Sequence, residues 1–298
     1  MEGDRPMGNT KRPQPASDRH RSDYGGFEYT ERDDQGLLVL AEMKFVPFDL
    51  LGQYLAPDLS PALDEQSDDG ADKPMRRGGS RKDAPWPCDR TKRLHATAEL
   101  VRRWGKKMGY AESWKPWAHE PAWARVNQAG LRALVLDWNE ILFPDDHKRL
   151  STDSHIYQVN KQRLHLARGG SNAPAHEWIS ERKIYVDQYR RGIDVERAHR
   201  PDGVMLLKAD GSYPLIRGDT VIEDIPMREG QTAAIEIEMS RKNLERLGGG
   251  ILPSLLQHYD FAWYFCTNRE VYETVVQARR DYLRTNEERK RIRILFLE

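Results

Sequence analysis

Only two cysteines, Cys88 and Cys266, occur in the 298 residues. They stand far apart and form no CxxC pair, which excludes a disulfide-built scaffold and predicts reduced thiols in a cytoplasmic protein. Long hydrophobic runs are missing as well. None approaches the length needed to span a bilayer, so no membrane partner is expected. The polar opening, MEGDRPMGNTKRPQPASDRHRSDYGG, lacks the apolar centre of a signal peptide and reads as a disordered tail over residues 1–28. Net charge is absent, because 47 Lys and Arg offset 47 Asp and Glu, and overall charge therefore names no partner. No GxxxxGK[ST] is present, which excludes a P-loop nucleotide site. His155, His165, His176 and His199 do not have zinc-ligand spacing.

What is present is charge that is unevenly spread. Ala71 to Glu120 carries 13 Lys and Arg against 6 Asp and Glu. Such a block suits a nucleic-acid contact, and it equally suits a solvated basic loop. Trp86, Trp104, Trp114, Trp117 and Trp123 are interleaved with it. Aromatics among cations fit nucleic acid, although Trp104 and Trp123 read better as core.

Order is predicted to begin near Tyr29. Thr30 caps a helix with acids in its first turn and an apolar stripe of Leu37, Leu38, Leu40 and Ala41. Pro47 breaks the pattern, and a second short helix turns Leu50, Leu51, Tyr54 and Leu55 inward. Two short helices joined tightly open a helix-turn-helix. A flexible insertion rich in Pro, Gly, Asp and Arg follows at about 57–90. Helical periodicity returns in TKRLHATAELVRRWGKKMGY, with Leu94, Ala98, Val101 and Trp104 on one face. Arg93, Arg102, Arg103, Lys106 and Lys107 decorate the rest, as in a recognition helix. PAWARVNQAGLRALVL reads either as the hairpin wing of a winged helix or as a short helix. STDSHIYQVNKQRLHLAR is a helix capped by Ser151 or Asp153, and RGGSNAPAH is the linker.

Beyond the linker, EWISERKIYVDQYRRG is predicted helical, HRPDGVMLL a strand, GSYPLIRGD a turn with irregular chain, and TAAIEIEMS a strand. RKNLERLGGGILPSLLQHYDFA is helical in parts with a break at Gly248–Gly250. WYFCTN, REVYETVVQARRDYL and RIRILFLE continue as strand, helix and strand. The order is α/β.

Chemistry concentrates in Asp202, Glu236 and Glu238. Pro201 suits the first position of a strand, which puts Asp202 at its mouth. Glu236 and Glu238, two apart on a strand, point to one face. If the strands are neighbours, three carboxylates converge, and a hard cation such as Mg²⁺ would hold them together. Alternatively, one glutamate faces solvent and RPDG is merely a turn.

RPDG and AIEIEMSRK resemble motifs II and III of the PD-(D/E)XK nuclease superfamily. Together with TERDDQGLLVLAEMKFVPFDLLGQYL, ELVRRWGKKMGY, HEWISERKI and WYFCTNREVYETV, they resemble its replication-relaxation branch, found on actinobacterial mobile elements. The resemblance implies a winged helix-turn-helix domain over 29–168 and a nuclease-like α/β domain with a central mixed sheet over 175–298. By it, Glu181 matches the helical acid of motif I, while Asp202 and Glu236 match the acids of motifs II and III. Glu238 stands where the superfamily carries lysine, which weakens the case for cleavage. Arg241 or Lys242 could reach back from the following helix to supply positive charge, but a solvated helix start is the preferred reading of both. Asp202, Glu236 and Glu238 would hold Mg²⁺ or Mn²⁺. Double-stranded DNA is the implied partner, with a relaxase or replication protein as a further one. Two functions stay open: metal-dependent phosphodiester hydrolysis in plasmid or mobile-element replication or transfer, and a non-catalytic DNA-binding accessory factor or transcriptional regulator.

Overall fold

The computed structural model describes residues 29–56, 87, 89–116, 118, 120–136, 150–167, 176–195, 198–217 and 220–297. The tail at 1–28, residues 57–86 of the insertion and 168–175 of the linker lie outside the described residues.

Helix α1 (Glu31–Met43) starts at Thr30, whose hydroxyl caps the Asp33 amide while the Asp33 carboxylate returns to the Thr30 amide. Asp33 is fully buried, because it also accepts from the Trp104 indole at 2.7 Å and pairs with Arg103. Strand β1 (Val46–Pro47) and helix α2 (Phe48–Tyr54) follow, then α3 (Arg90–Lys106). Strands β2 (Ala111–Trp114) and β3 (Trp123–Val126) form an antiparallel hairpin, and β1 pairs with β3, giving the order β1-β3-β2. Helix α4 (Gln128–Ala133) comes directly after β3. PAWARVNQAGLRALVL therefore holds both a hairpin strand and a short helix.

The apolar face of α3 differs from the expected one. Thr97, Leu100, Val101 and Trp104 are buried together with Arg93, whereas Leu94 and Ala98 are half-buried at the flank. Arg93 lays its aliphatic stem against Gly52 of α2. A Cβ at Gly52 would come within 2.9 Å of Arg93 Cγ and 2.7 Å of Thr97 Oγ1.

Helix α5 (Leu150–Ala167) links the two parts of the molecule. It begins before Ser151, so neither Ser151 nor Asp153 is its cap. Strand β4 (His176–Ser180) takes the place of the expected start of a helix. Trp178 and Ser180 are buried alternately there, a period of two that EWIS supports as well as a helix. Ser180 then caps α6 (Glu181–Arg190) through the Lys183 amide.

Strand β5 (Gly203–Leu207) is followed by a hairpin, β6 (Gly211–Arg217) and β7 (Thr220–Met227), in place of the expected irregular chain. Tyr213, Ile225 and Met227 bury themselves in the core, and Tyr213 donates its hydroxyl proton to the Leu166 carbonyl. Strand β8 (Thr232–Glu238), a π-helical turn (Arg246–Ile251), α7 (Leu252–His258), β9 (Phe261–Cys266), α8 (Arg269–Tyr282), α9 (Asn286–Arg291) and β10 (Ile292–Phe296) complete the chain. The expected break at Gly248–Gly250 is a widened turn that carries the helix onward into α7.

The central sheet has the order β10-β9-β8-β5-β4 and is mixed. Strands β4, β5 and β8 are antiparallel neighbours, whereas β9 and β10 run parallel to β8 through helical crossovers. Ala233, Ile235 and Ile237 of β8 face a core shared with α1, α2, α3 and α5. Ala234 faces α7 and α8. Alternation along the strand puts Glu236 and Glu238 on that second face. The parts before and after α5 thus bury one continuous apolar core.

Candidate functional site

The site forms where the pairing of β5 with β8 stops. The last ladder pair is Gly203 with Ile235. Beyond it, Asp202 Oδ2 accepts from the Ile237 amide at 2.7 Å, so the side chain takes up a donor that the ladder leaves open. Asp202 Oδ1 stands 3.3 Å from His155 Nε2 on α5, and the same nitrogen is 3.1 Å from the Ile237 carbonyl. Burial acts to lower the His155 pKa, but Asp202, the Ile237 carbonyl and Glu181 together outweigh it and hold the imidazole above its ordinary value.

Glu236 is only 4% exposed. Burial pushes its carboxyl above the usual carboxylate range, opposed by His199, whose Nε2 lies 2.7 Å from Oε1. Glu238 is 5% exposed, and its Oε2 lies 2.5 Å from Lys242 Nζ, an ion pair that leaves that oxygen without an aligned hydrogen bond. Burial works to lower the Lys242 pKa, but Glu236, Glu238 and Asp202 prevail and keep the ammonium above its ordinary value. The Tyr264 hydroxyl, opposite Glu236 on β9, is buried without a hydrogen bond, and burial next to these acids raises its pKa well beyond that of a free phenol.

Glu181, the first residue of α6, pairs with Lys44 at 2.9 Å and stands 4.0 Å from Arg200 Nε. Lys44 ends α1 with φ of 66°, a left-handed conformation that costs a non-glycine residue of order 1 kcal/mol or more. Its pairing with Glu181 helps hold it there. Lys44, His155, Ser180, Glu181 and Asp202 line a cleft of about 200 Å³.

The expected residues Asp202, Glu236, Glu238 and Lys242 are thus brought together, with Glu181 across the cleft. Of the two candidate cations, Lys242 turns back to the acids, whereas Arg241 pairs with Glu270 on the surface. Lys44 and His155 belong to the same neighbourhood, and no local sequence signal marks them. Both arrive from elements more than thirty residues away in sequence from β5.

The donors are carboxylate oxygens, the type that Mg²⁺ and Mn²⁺ prefer. Glu238 Oε2 already faces Lys242 Nζ at 2.5 Å, so a cation there would compete with that ion pair. Among the described residues, no three His, Cys, Asp or Glu side chains stand at metal-ligand spacing. The expected set of Asp202, Glu236 and Glu238 is therefore not assembled as a three-ligand centre, and a cation would draw on one or two of these carboxylates, with water and phosphate filling the remaining positions.

The basic helix divides its expected contacts. Arg102, Lys106 and Lys107 are exposed. Arg93 is 3% exposed and packs inside, and Arg103 is committed to the buried Asp33, so neither has the outward position expected of it. The reason is the rotated apolar face of α3. That rotation turns Lys92 and His95 outward in line with Arg102 and Lys106.

No protein-family model matches the sequence, and neither a curated protein nor a solved structure matches the chain. Among the described residues, no helix is long and apolar enough to cross a membrane.

Proposed function

We propose that the chain is a DNA-binding protein with a nuclease-like, Mg²⁺- or Mn²⁺-dependent site, acting in plasmid or mobile-element replication or transfer. The observation that carries this reading is the gathering of Asp202, Glu236, Glu238 and Lys242 at the open end of the β5–β8 seam. The setting is what the resemblance to replication-relaxation proteins implies.

The order of α1, β1, α2, α3 and the β2–β3 hairpin supports a winged helix-turn-helix, with α3 as its recognition helix. Lys92, Arg102, Lys106 and Lys107 would meet phosphates of a duplex. Asp202 Oδ1 and the carboxylate of Glu236 would hold the cation, and the cation would stabilise charge on a phosphoryl oxygen as a Lewis acid. Glu238 would have to give up its Lys242 ion pair to orient an attacking water and accept its proton. Lys242, paired with Glu238, would offer positive charge to the phosphate.

The test is cleavage of supercoiled plasmid with Mg²⁺ or Mn²⁺. Wild type should nick the plasmid, and Asp202→Ala should lose at least roughly a hundredfold in rate, the scale on which catalytic groups act. Equal nicking by both proteins removes the site. No nicking by either favours a second reading, a DNA-binding accessory factor or regulator. One observation supports that alternative: His199 and Lys242 already contact Glu236 Oε1 and Glu238 Oε2, at 2.7 and 2.5 Å, without a cation. Duplex binding has its own measurement. Neutralising four phosphates should weaken affinity roughly a hundredfold between about 50 and about 200 mM salt. A flat salt response would remove the DNA grip.

A further inference from the structure

One face of α6 leads outward from the acids. Glu181, Tyr185 and Tyr189 recur at four-residue spacing and so lie on one side of the helix. The two tyrosine rings stack with centroids 6.4 Å apart and planes inclined by 18°. Tyr189 is 56% exposed, more than any other large apolar side chain among the described residues. The Arg200 guanidinium covers Tyr185 at 5.4 Å from the ring centroid.

Beside Arg200 opens a cavity of about 520 Å³, bordered by Glu181, His199, Arg200, Arg246, Ile251 and Ser254. That is within the size range of ligand sites. His199 forms part of its wall and bonds Glu236, so the cavity adjoins the acidic cluster. Arg246 is exposed and has no ion pair among the described residues. Glu181, the one acid on the border among the described residues, is shared between Lys44 and Arg200. Asp187, nearby on α6, is matched by Arg191 at 3.0 Å. The border therefore carries an excess of positive charge.

A stacked aromatic pair whose inner ring, Tyr185, lies under an arginine at the rim of a cationic cavity is suited to unpaired nucleotides. Bases stack on the outer ring while phosphates meet the arginines. A duplex keeps its base faces inside its own stack and has none to offer Tyr189. We infer that this surface binds single-stranded nucleic acid, with a base on Tyr189 and the neighbouring phosphodiester between Arg200 and Arg246. The inference rests on the proposed reading of the acidic cluster and deepens it: the substrate is a strand with an unpaired segment, led along α6 toward Glu236.

The test is fluorescence anisotropy on the full chain with three labelled DNA probes: a blunt duplex, the same duplex with a single-stranded tail, and the unpaired strand. The tail should raise affinity roughly tenfold, as stacking of a single base can supply. Tyr189→Ala and Arg246→Glu should each abolish that gain and leave blunt-duplex binding unchanged, whereas Tyr189→Phe should retain it. Circular dichroism checks that each variant is folded, and both side chains are on the surface. Equal affinity for tailed and blunt duplex overturns the inference, as does a gain that survives both substitutions. A tail effect with no plasmid nicking upholds this surface while removing the catalytic reading. Binding of the unpaired strand without any duplex binding likewise upholds it and removes the grip assigned to α3.

Discussion

Glu42 is buried at the end of α1 and holds two cations, Arg163 of α5 at 2.7 Å and Lys183 of α6 at 2.9 Å. Arg163 in turn lies over the rings of Tyr54 and Trp178. Removing one member of such a group leaves charge buried without its partner. Arg163→Met should therefore cost about 3 kcal/mol in urea unfolding, the low end for a broken buried pair because Lys183 still faces Glu42. His165 makes a separate, pH-dependent contribution. Burial, aided by Lys161, lowers its pKa from the ordinary 6.5. The folded state thus binds a proton less readily than the unfolded state. Stability from this group is complete above the ordinary value and is lost as pH falls through the lowered one. His165→Gln should flatten the decline in unfolding free energy as pH falls from the ordinary value to the lowered one, as measured by urea titrations across the range. An unchanged slope would show that His165 is not responsible.

At the scale of elements, β4 and β5 can pair as they do because Gly203 has no side chain. A Cβ there would stand 2.0 Å from Trp178 Cζ2, against the face of a buried indole. Gly203→Ala should cost about 1–3 kcal/mol in thermal or urea unfolding, the usual range for overpacking. It should also shift the tryptophan emission, since Trp178 must move. Because Asp202 is the next residue, the same substitution should disturb the Asp202–Ile237 bond that sets the acid's position. The start of α1 offers a milder case. Thr30→Ala should remove about 1 kcal/mol, the usual worth of an N-cap, as measured by the same unfolding curves.

At the scale of the whole molecule, the parts on either side of α5 share one core, which runs from Leu37 and Trp104 to Ile235 and Trp263. Lys44 to Glu181, Glu42 to Lys183, and Arg182 to the Ala41 carbonyl at 2.7 Å tie α1 to α6 across the same boundary. Such a structure should unfold as one cooperative unit. Urea transitions followed by far-UV circular dichroism and by tryptophan emission should coincide. Two separated transitions would mean that the shared core contributes little.

Much was legible in the amino-acid order. The Thr30 cap, the assignment of α8 as helix and β8 as strand, and the Pro201–Asp202 entry to β5 are local features, set by hydrogen bonding and periodicity within a few residues. The acids at 236 and 238 share a face because side chains alternate along any strand. Other assignments depended on distant partners. EWIS carries an apolar pattern compatible with either helix or strand, and pairing with β5 selects the strand. SYPLIR becomes β6 only because β7 is there to complete its hydrogen bonds. Arg93 is drawn inside by Gly52, a residue on another helix, and this turns Lys92 rather than Arg93 outward. Lys44, His155 and His199 meet the acids through contacts between elements far apart in the chain, and such proximity has no signature in local spacing. Local chemistry fixed which residues could bear charge and where helices and strands could begin. Long-range packing, by setting which face of each element is buried, decided which of those charges stand together.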